Sequence, residues 1–284
     1  MECLARRARQ KSGPRVPHKE EWGTTVYQEG VTIAIPNWNH EFFLPRSIRS
    51  ALEAVSHLRE GGVRAEVLVV DDASRDGSQA MLRTLEALYH EAGLRVHIHD
   101  SNAGLCAARN TALLEARYRH IVMMDADNHV LGANMALFHR ALAETSAAAV
   151  YGNLLIRKLG HRAAHGICSN ESVQDRLFDM NYIDAFAMLD RLQVLDVTGY
   201  GSSLPAHEDW EMWLHLTTSG RRIVFVPLVF GYYSELPNSM IRSLSDEELN
   251  RLARSRRMFN QAGFRTHLPA NTDRLRYFPG VGYL

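Results

Sequence analysis

The 284-residue chain predicts an α/β fold with a mostly parallel central sheet flanked by helices. Three observations predict it. Short apolar runs alternate with amphipathic stretches from Val31 to Thr145. The linking stretches have helical period, as the crossovers between parallel strands require. Two of the apolar runs stop abruptly in aspartates, at the strand end where open parallel sheets carry their ligands.

The elements follow in order. Val31-Thr32-Ile33-Ala34-Ile35 reads as a buried strand stopped by Pro36. Residues 44–60 predict a helix, since Leu44, Ile48, Leu52, Val55 and Leu58 recur at spacings of four or three. Glu66 to Val70 is a second strand. Ser78 is placed to cap a helix whose Met81, Leu82, Leu85 and Leu88 share a face. Arg95 to His99 is a weaker third strand, 103–117 a helix, His120 to Met124 a fourth strand and 132–145 a helix. The pattern then loosens. A short strand lies near Ala148–Asn153, a helix at 208–219 ends at Gly220, and Arg222–Phe230 is a further strand. Ser245-Asp246-Glu247-Glu248 reads as a capping box opening a helix that stops at Gly263. Its arginines at 251, 254, 256 and 257 form a solvated face or line an anionic pocket.

Charge and composition exclude several classes. Lys plus Arg total 32 and Asp plus Glu total 32, so the chain lacks the positive excess of a general nucleic-acid binder. No apolar run reaches the roughly 20 residues of a membrane span. The longest, Ile223 to Tyr233, contains Pro227 and Gly231. Cys3, Cys106 and Cys168 are odd in number and widely spaced, which gives neither a disulfide framework nor a zinc pattern and suits a reducing cytosol. The first 19 residues carry Arg6, Arg7, Arg9, Lys11, Arg15 and Lys19 against Glu2, without apolar period. They read as a flexible basic arm.

Three acidic features occupy strand or helix ends. Asp71-Asp72-Ala73-Ser74 closes the second strand, Asp125-Ala126-Asp127-Asn128 closes the fourth, and Glu208-Asp209 opens a helix. In extended backbone residues i and i+2 point the same way, so Asp125 and Asp127 can converge on one hard cation, Mg2+ or Mn2+. The plainer alternative is a turn with solvated aspartates. Asp71 and Asp72 suit either a turn and helix cap or a contact to a nucleotide base or ribose. Glu208 and Asp209 are also favoured by the helix dipole alone. Trp210, Trp213 and Leu214, at i, i+3 and i+4, read as core anchoring that helix. His97 and His99 share a strand face but lack metal-ligand spacing.

Together these segments resemble the nucleotide-sugar glycosyltransferases of family-2 type, which have a GT-A, Rossmann-like fold. Val31 to Asn39 resembles the opening strand and its Pro-x-aromatic-Asn turn. Val69-Val70-Asp71-Asp72-Ala73-Ser74-Arg75-Asp76-Gly77-Ser78 resembles the VDDxSxDGS element. Asn102-Ala103-Gly104 with Ala108-Arg109-Asn110 resembles NxGxxxARN, Asp125-Ala126-Asp127 the metal-binding Asp-X-Asp, and Glu208 to Leu214 the EDxxxWL element. The likeness spans about residues 31–240. The expected organisation is a basic arm over 1–28, a glycosyltransferase domain over 29–240 implied by the resemblance, and a C-terminal, acceptor-side helical extension over 241–284. Within the domain it implies a donor half (29–130) and an acceptor half (131–240).

The resemblance implies a nucleoside-diphosphate-sugar donor, UDP-sugars favoured, a divalent metal (Mn2+ or Mg2+), and inverting transfer to a glycan or other hydroxyl acceptor. It implies donor contacts from Pro36, Asn37, Trp38, Asn39, Asp71, Asp72, Asn102, Gly104, Arg109, Asp125, Ala126 and Asp127. Asp125 and Asp127 would be the metal ligands, Asp209 the general base and Glu208 an orienting group. Arg109 has two readings, a cation for the leaving diphosphate or a partner for a carboxylate. Polysaccharide or cell-surface glycan assembly in the cytoplasm, with peripheral membrane contact as an option, is the family-level expectation. One departure stands out: relatives follow the last strand with Tyr-Arg-x-His, whereas here the segment is Tyr233-Ser234-Glu235-Leu236. A catalytically silent binding domain is the competing class. A haloacid-dehalogenase-type phosphatase is a third reading, although its aspartates follow a first strand, not a fourth.

Overall fold

A computed structural model describes residues 28–170, 177–178, 181–197, 199–201 and 207–236, with the strand pairs 277–278 and 282–283. The expected basic arm and the expected helix from Ser245 to Gly263 lie outside the described residues.

Ten elements make the first half: β1 (Gln28–Asn37), α1 (Leu44–Glu60), β2 (Ala65–Asp71), α2 (Ser78–Tyr89), β3 (Leu94–Ile98), α3 (Leu105–Glu115), β4 (Tyr118–Met123), β5 (His129–Val130), a 3-10 turn (Gly132–Asn134) and α4 (Met135–Thr145). Then come β6 (Ala149–Lys158), β7 (Gly166–Cys168), β8 (Met188–Asp190), α5 (Arg191–Val197), α6 (Glu208–Thr218) and β9 (Ile223–Glu235). A separate antiparallel pair joins β10 (Tyr277–Phe278) to β11 (Gly282–Tyr283).

The main sheet runs β3-β2-β1-β4-β8-β6-β9-β5, with β7 on β6. Its first four strands are parallel. β8 enters antiparallel between β4 and β6, and β6 and β9 are parallel to each other. Alternate residues of each strand face opposite layers. Ile33, Ile35, Val67, Val69 and Val122 pack under α1, α2 and α4. Ala34, Leu68, Val70, Ile121 and Met123 pack under α3, α5 and α6. The chain therefore changes face between β3 and β4. That leaves a crevice outside the carboxyl ends of β1 and β4, the switch point where such sheets bind ligands.

Some local expectations shift. β1 does not stop at Pro36; it continues to Asn37, paired with Asp71. Met124 N–H donates to Ala34 C=O as the last bond on the β4 side. Pro36 faces the same side beyond the end of β4, so its missing N–H leaves no ladder partner unmet. Ser78 does not cap α2; it is the first helical residue, and its own N–H donates to Asp76 Oδ1. Leu88 leaves the apolar face of α2 and is 67% exposed. β9 outruns its expected end by five residues and so carries Tyr232, Tyr233 and Ser234 towards the crevice.

Candidate active site

The crevice is built from the ends of β1, β2, β4 and β9, the starts of α3 and α6, and the loop before β8. Asp71 sits at the end of β2 and is fully buried. Its carboxylate accepts from Asn37 Nδ2 (2.7 Å), Ser74 N–H (2.9 Å) and Ser74 Oγ (2.6 Å). Asp71 thus ties the β1 turn to the β2 turn. Ser74 Oγ also accepts from Asn39 N–H, and Asn39 Oδ1 accepts from Arg75 N–H. Asn39 takes a positive φ of 57°, a conformation Asn adopts more readily than most residues. Between them Trp38 projects, 49% exposed.

Asp72 organises the approach to α3. Its Oδ1 meets His99 Nδ1 (2.7 Å) and accepts from Ala103 N–H (2.9 Å); its Oδ2 accepts from Asn102 Nδ2 (2.8 Å) and Gly104 N–H (2.7 Å). Gly104, at φ +95°, turns the chain into the helix. Asp71 is thus bonded to Asn37 and Ser74, and Asp72 to Asn102 and Gly104 among others. Asp71, Asp72, Asn102 and Gly104 brace the crevice wall.

Arg109 lies between two of the acidic features. It is 2% exposed, and its guanidinium joins Asp125 Oδ1 (2.8 Å) to Glu208 Oε1 (2.5 Å), with the Tyr200 ring 5.2 Å away. Burial works against its proton, but Asp125 and Glu208 outweigh that and raise its pKa further above the ordinary value. Its partners in this structure are the two carboxylates. Glu208 is linked to Asp125 through Arg109.

Asp209 follows Glu208 at the N-terminus of α6. Trp210 and Trp213 hold this helix: their indole N–H groups donate to Leu177 C=O and Ile183 C=O. Asp209 Oδ1 accepts from Trp210 N–H (2.7 Å) and Asn181 Nδ2 (3.0 Å), which leaves Oδ2 open among the described residues. Burial first, then the neighbouring Glu208, push its pKa up to about 6.

Asp125 is part-exposed, and Asp127 lies beside it with its pKa pushed up to about 7 by burial and then by Asp125. Ala126 between them is buried. A further acid, Asp184, was not singled out from the sequence. Burial, Asp125 and Asp209 raise it to about 8, and its Oδ1 accepts from Phe186 N–H. Its signal was a lone acid inside the apolar run Ile183–Met188.

Asp125, Asp127, Asp184, Glu208 and Asp209 thus share one region with a single buried guanidinium. That excess of negative charge is the donor chemistry a hard divalent cation suits. Among the described residues no three His, Cys, Asp or Glu side chains form a ready metal cluster. Asp125 and Asp127 would supply two ligands and leave the remainder to ligand oxygens and water.

At the end of β9, Ser234 stands where the resemblance expects arginine. Its Oγ donates to Asp127 C=O (2.5 Å) and accepts from Arg46 of α1 (3.3 Å). A guanidinium therefore reaches this place from another element.

The profile of Glycosyl transferase family 2 matches residues 32–167. The putative teichuronic acid biosynthesis glycosyltransferase TuaG of Bacillus subtilis is 29% identical over 106 residues, covering 37% of this chain and 38% of its own. The chain spans between 24% and 38% of the length of the first curated relatives it matches. S. aureus TarS 1-349, solved with UDP-GlcNAc, superposes with a TM-score of 0.63 at 15% identity, covering 81% of this chain and 66% of that one. Mannosyltransferase PcManGT of Pyrobaculum calidifontis, solved with GDP-Man and Mn2+, superposes with a TM-score of 0.59 at 17% identity, covering 88% and 81%. No helix among the described residues is long and apolar enough to cross a membrane. With its switch-point crevice and its Asp-X-Asp element after β4, the chain has the GT-A fold, and its residues 32–167 are similar to glycosyl transferase family 2.

Proposed function

We propose that the chain moves a glycosyl group from a nucleoside-diphosphate sugar to an acceptor hydroxyl, with inversion at the anomeric carbon. The observation that carries this reading is the Arg109 bridge. It sets the Asp-X-Asp loop and the acidic end of α6 against the same crevice, so charge stabilisation and proton removal meet there.

Asp125 and Asp127 would hold the divalent cation, Mn2+ or Mg2+, which when bound counters the negative charge growing on the leaving diphosphate. Asp209 takes the acceptor's proton at Oδ2, its open oxygen. Asn181 and the Trp210 N–H fix the carboxylate by holding Oδ1. Glu208 and Arg109 keep Asp125 in place, while Asp71 and Asp72 hold the two turns that wall the donor pocket. Pro36, Asn37, Trp38 and Asn39 form one of these turns, with Trp38 free to contact the nucleotide. The neighbours' UDP-GlcNAc and GDP-Man support a nucleotide-sugar donor, for which a UDP-sugar is our first choice. A role in polysaccharide or surface-glycan assembly is the accompanying proposal, supported by relatives such as TuaG.

Asp209→Asn tests the reading. Transfer should fall by at least a hundredfold, while donor binding measured by calorimetry with Mn2+ stays within about threefold of wild type. Transfer at a comparable rate in this variant would remove Asp209 as the base. Asp125→Ala should instead weaken donor binding in the presence of metal.

A further inference from the structure

Beside the acidic crevice lies a patch of opposite sign, formed by three elements distant in sequence. Arg46 comes from α1, His129 from β5 and Arg157 from β6. Tyr232 of β9 sits among them. The Arg157 guanidinium lies 4.4 Å from the centre of its ring, and the His129 ring lies 5.7 Å from it, nearly edge-on. Two residues along β9, Ser234 Oγ accepts from Arg46 and donates to the Asp127 carbonyl. Strand pairing fixes these positions: His129 is opposite Tyr232, and Arg157 is opposite Ser234.

The two arginines have no carboxylate partner within ion-pair distance among the described residues, in contrast to Arg95, Arg109, Arg119 and Arg221. They also act on one another. Burial and then Arg157 lower the pKa of Arg46, with Asp127 opposing, and burial followed by both arginines lowers that of His129, with Glu53 opposing. Like charges gathered by packing, with no carboxylate in ion-pair contact and, among the described residues, only the Arg46–Ser234 hydrogen bond between them and other side chains, are relieved by an anion. A guanidinium presents a fork of donors that matches the oxygens of phosphate or carboxylate.

We propose that Arg46 and Arg157, supported by Tyr232 and Ser234, form an oxyanion-binding site next to the Asp-X-Asp loop that takes a phosphate-type group. The site abuts Asp127 through a single hydroxyl. Its occupant is therefore part of whatever lies across the crevice, either the diphosphate of a nucleotide or an acidic group on a glycan acceptor. The site stands on its own side chains, and its test needs no turnover, so it can fail while the transfer reading holds, and the reverse.

The test is calorimetric titration of the full chain with sodium pyrophosphate in metal-free buffer. Wild type should bind it, more weakly as salt rises. Arg46→Ala with Arg157→Ala should weaken binding by about a hundredfold, each single change by about tenfold, and Arg46→Lys should restore part of the loss. Unchanged thermal melts would show that the variants fold. If the alanine pair does not fold, Arg46→Gln with Arg157→Gln serves in its place. Titration with UDP and with uridine, both with Mn2+, identifies the source. Loss of UDP affinity with uridine binding unchanged assigns the site to the nucleotide's diphosphate. Unchanged UDP affinity with pyrophosphate binding lost assigns it to a second, acidic ligand. Equal pyrophosphate affinity in wild type and the double variant, or none in wild type, would overturn the proposal.

Discussion

The guanidinium of Arg109 holds the carboxylate of Asp125 at 2.8 Å while its other terminal nitrogen holds Glu208, so residues 83 positions apart in sequence share one cation. Removing that cation leaves a largely buried Glu208 and a part-exposed Asp125 without their shared partner. Arg109→Met should destabilise the fold by about 3 kcal/mol or more, the usual cost of breaking a buried pair from one side. Arg109→Lys should recover only part of this, because one ammonium cannot reproduce the two-armed geometry. Urea unfolding of the three proteins measures both effects.

A pH profile follows from Asp209. With its pKa near 6 in the free protein, the carboxylate is ionised above that pH and able to accept a proton. Under our proposal kcat/KM should rise about tenfold per pH unit up to about pH 6 and then level. Steady-state rates across pH 4.5 to 8, at saturating Mn2+, would trace this limb. A flat profile would mean that another group takes the proton.

The braces make a local prediction. Asp72 gathers His99, Asn102 and two backbone N–H groups, so Asp72→Ala frees the segment leading into α3. Hydrogen exchange should quicken at Ala103 and Gly104 by at least tenfold and remain unchanged in α6. Donor affinity should fall with it, as a positioning role requires.

Stability should depend on pH through His120. Burial first, and then His139 at a ring distance of 5.0 Å, lower its pKa to about 4, with Asp190 opposing and Arg119 adding to the effect. The unfolded chain binds a proton here below about pH 6.5, whereas the folded protein does so only below about 4. Stability from this residue is therefore complete above about pH 6.5 and is lost as pH falls towards 4, by about 1.4 kcal/mol per unit. His120→Phe should flatten that part of a chemical-denaturation series from pH 4 to 7.

The parallel half was legible because each strand there is long, apolar and bounded by turn residues. Val67 to Val70 could hardly be anything else. β5, β7 and β8 were not, since strands of two or three residues exist only by virtue of the neighbours they pair with. The acidic ends were visible as residues but not as roles. Asp72 and Asn102 stand in a familiar string, yet only the folded turn shows them bonded to each other. Arg109 offered two readings, and only the approach of α6 sets it between two carboxylates. Arg46 and Arg157 carry no motif at all. Their proximity depends on β9 running past Phe230 to Glu235, a length that Pro227 and Gly231 concealed.

The antiparallel insertion of β8 between β4 and β6 has a consequence for how the molecule can be divided. β8 draws residues 188–190 in between strands that precede it in the chain, and β5 is stitched to β9 across another hundred positions. The two halves expected to meet near residue 130 thus share one sheet. A fragment ending there would bare the β4 backbone along the edge where β8 docks, an invitation to intermolecular pairing. Expressed alone, each piece should precipitate; made together, they should recombine only by rebuilding the sheet as a whole.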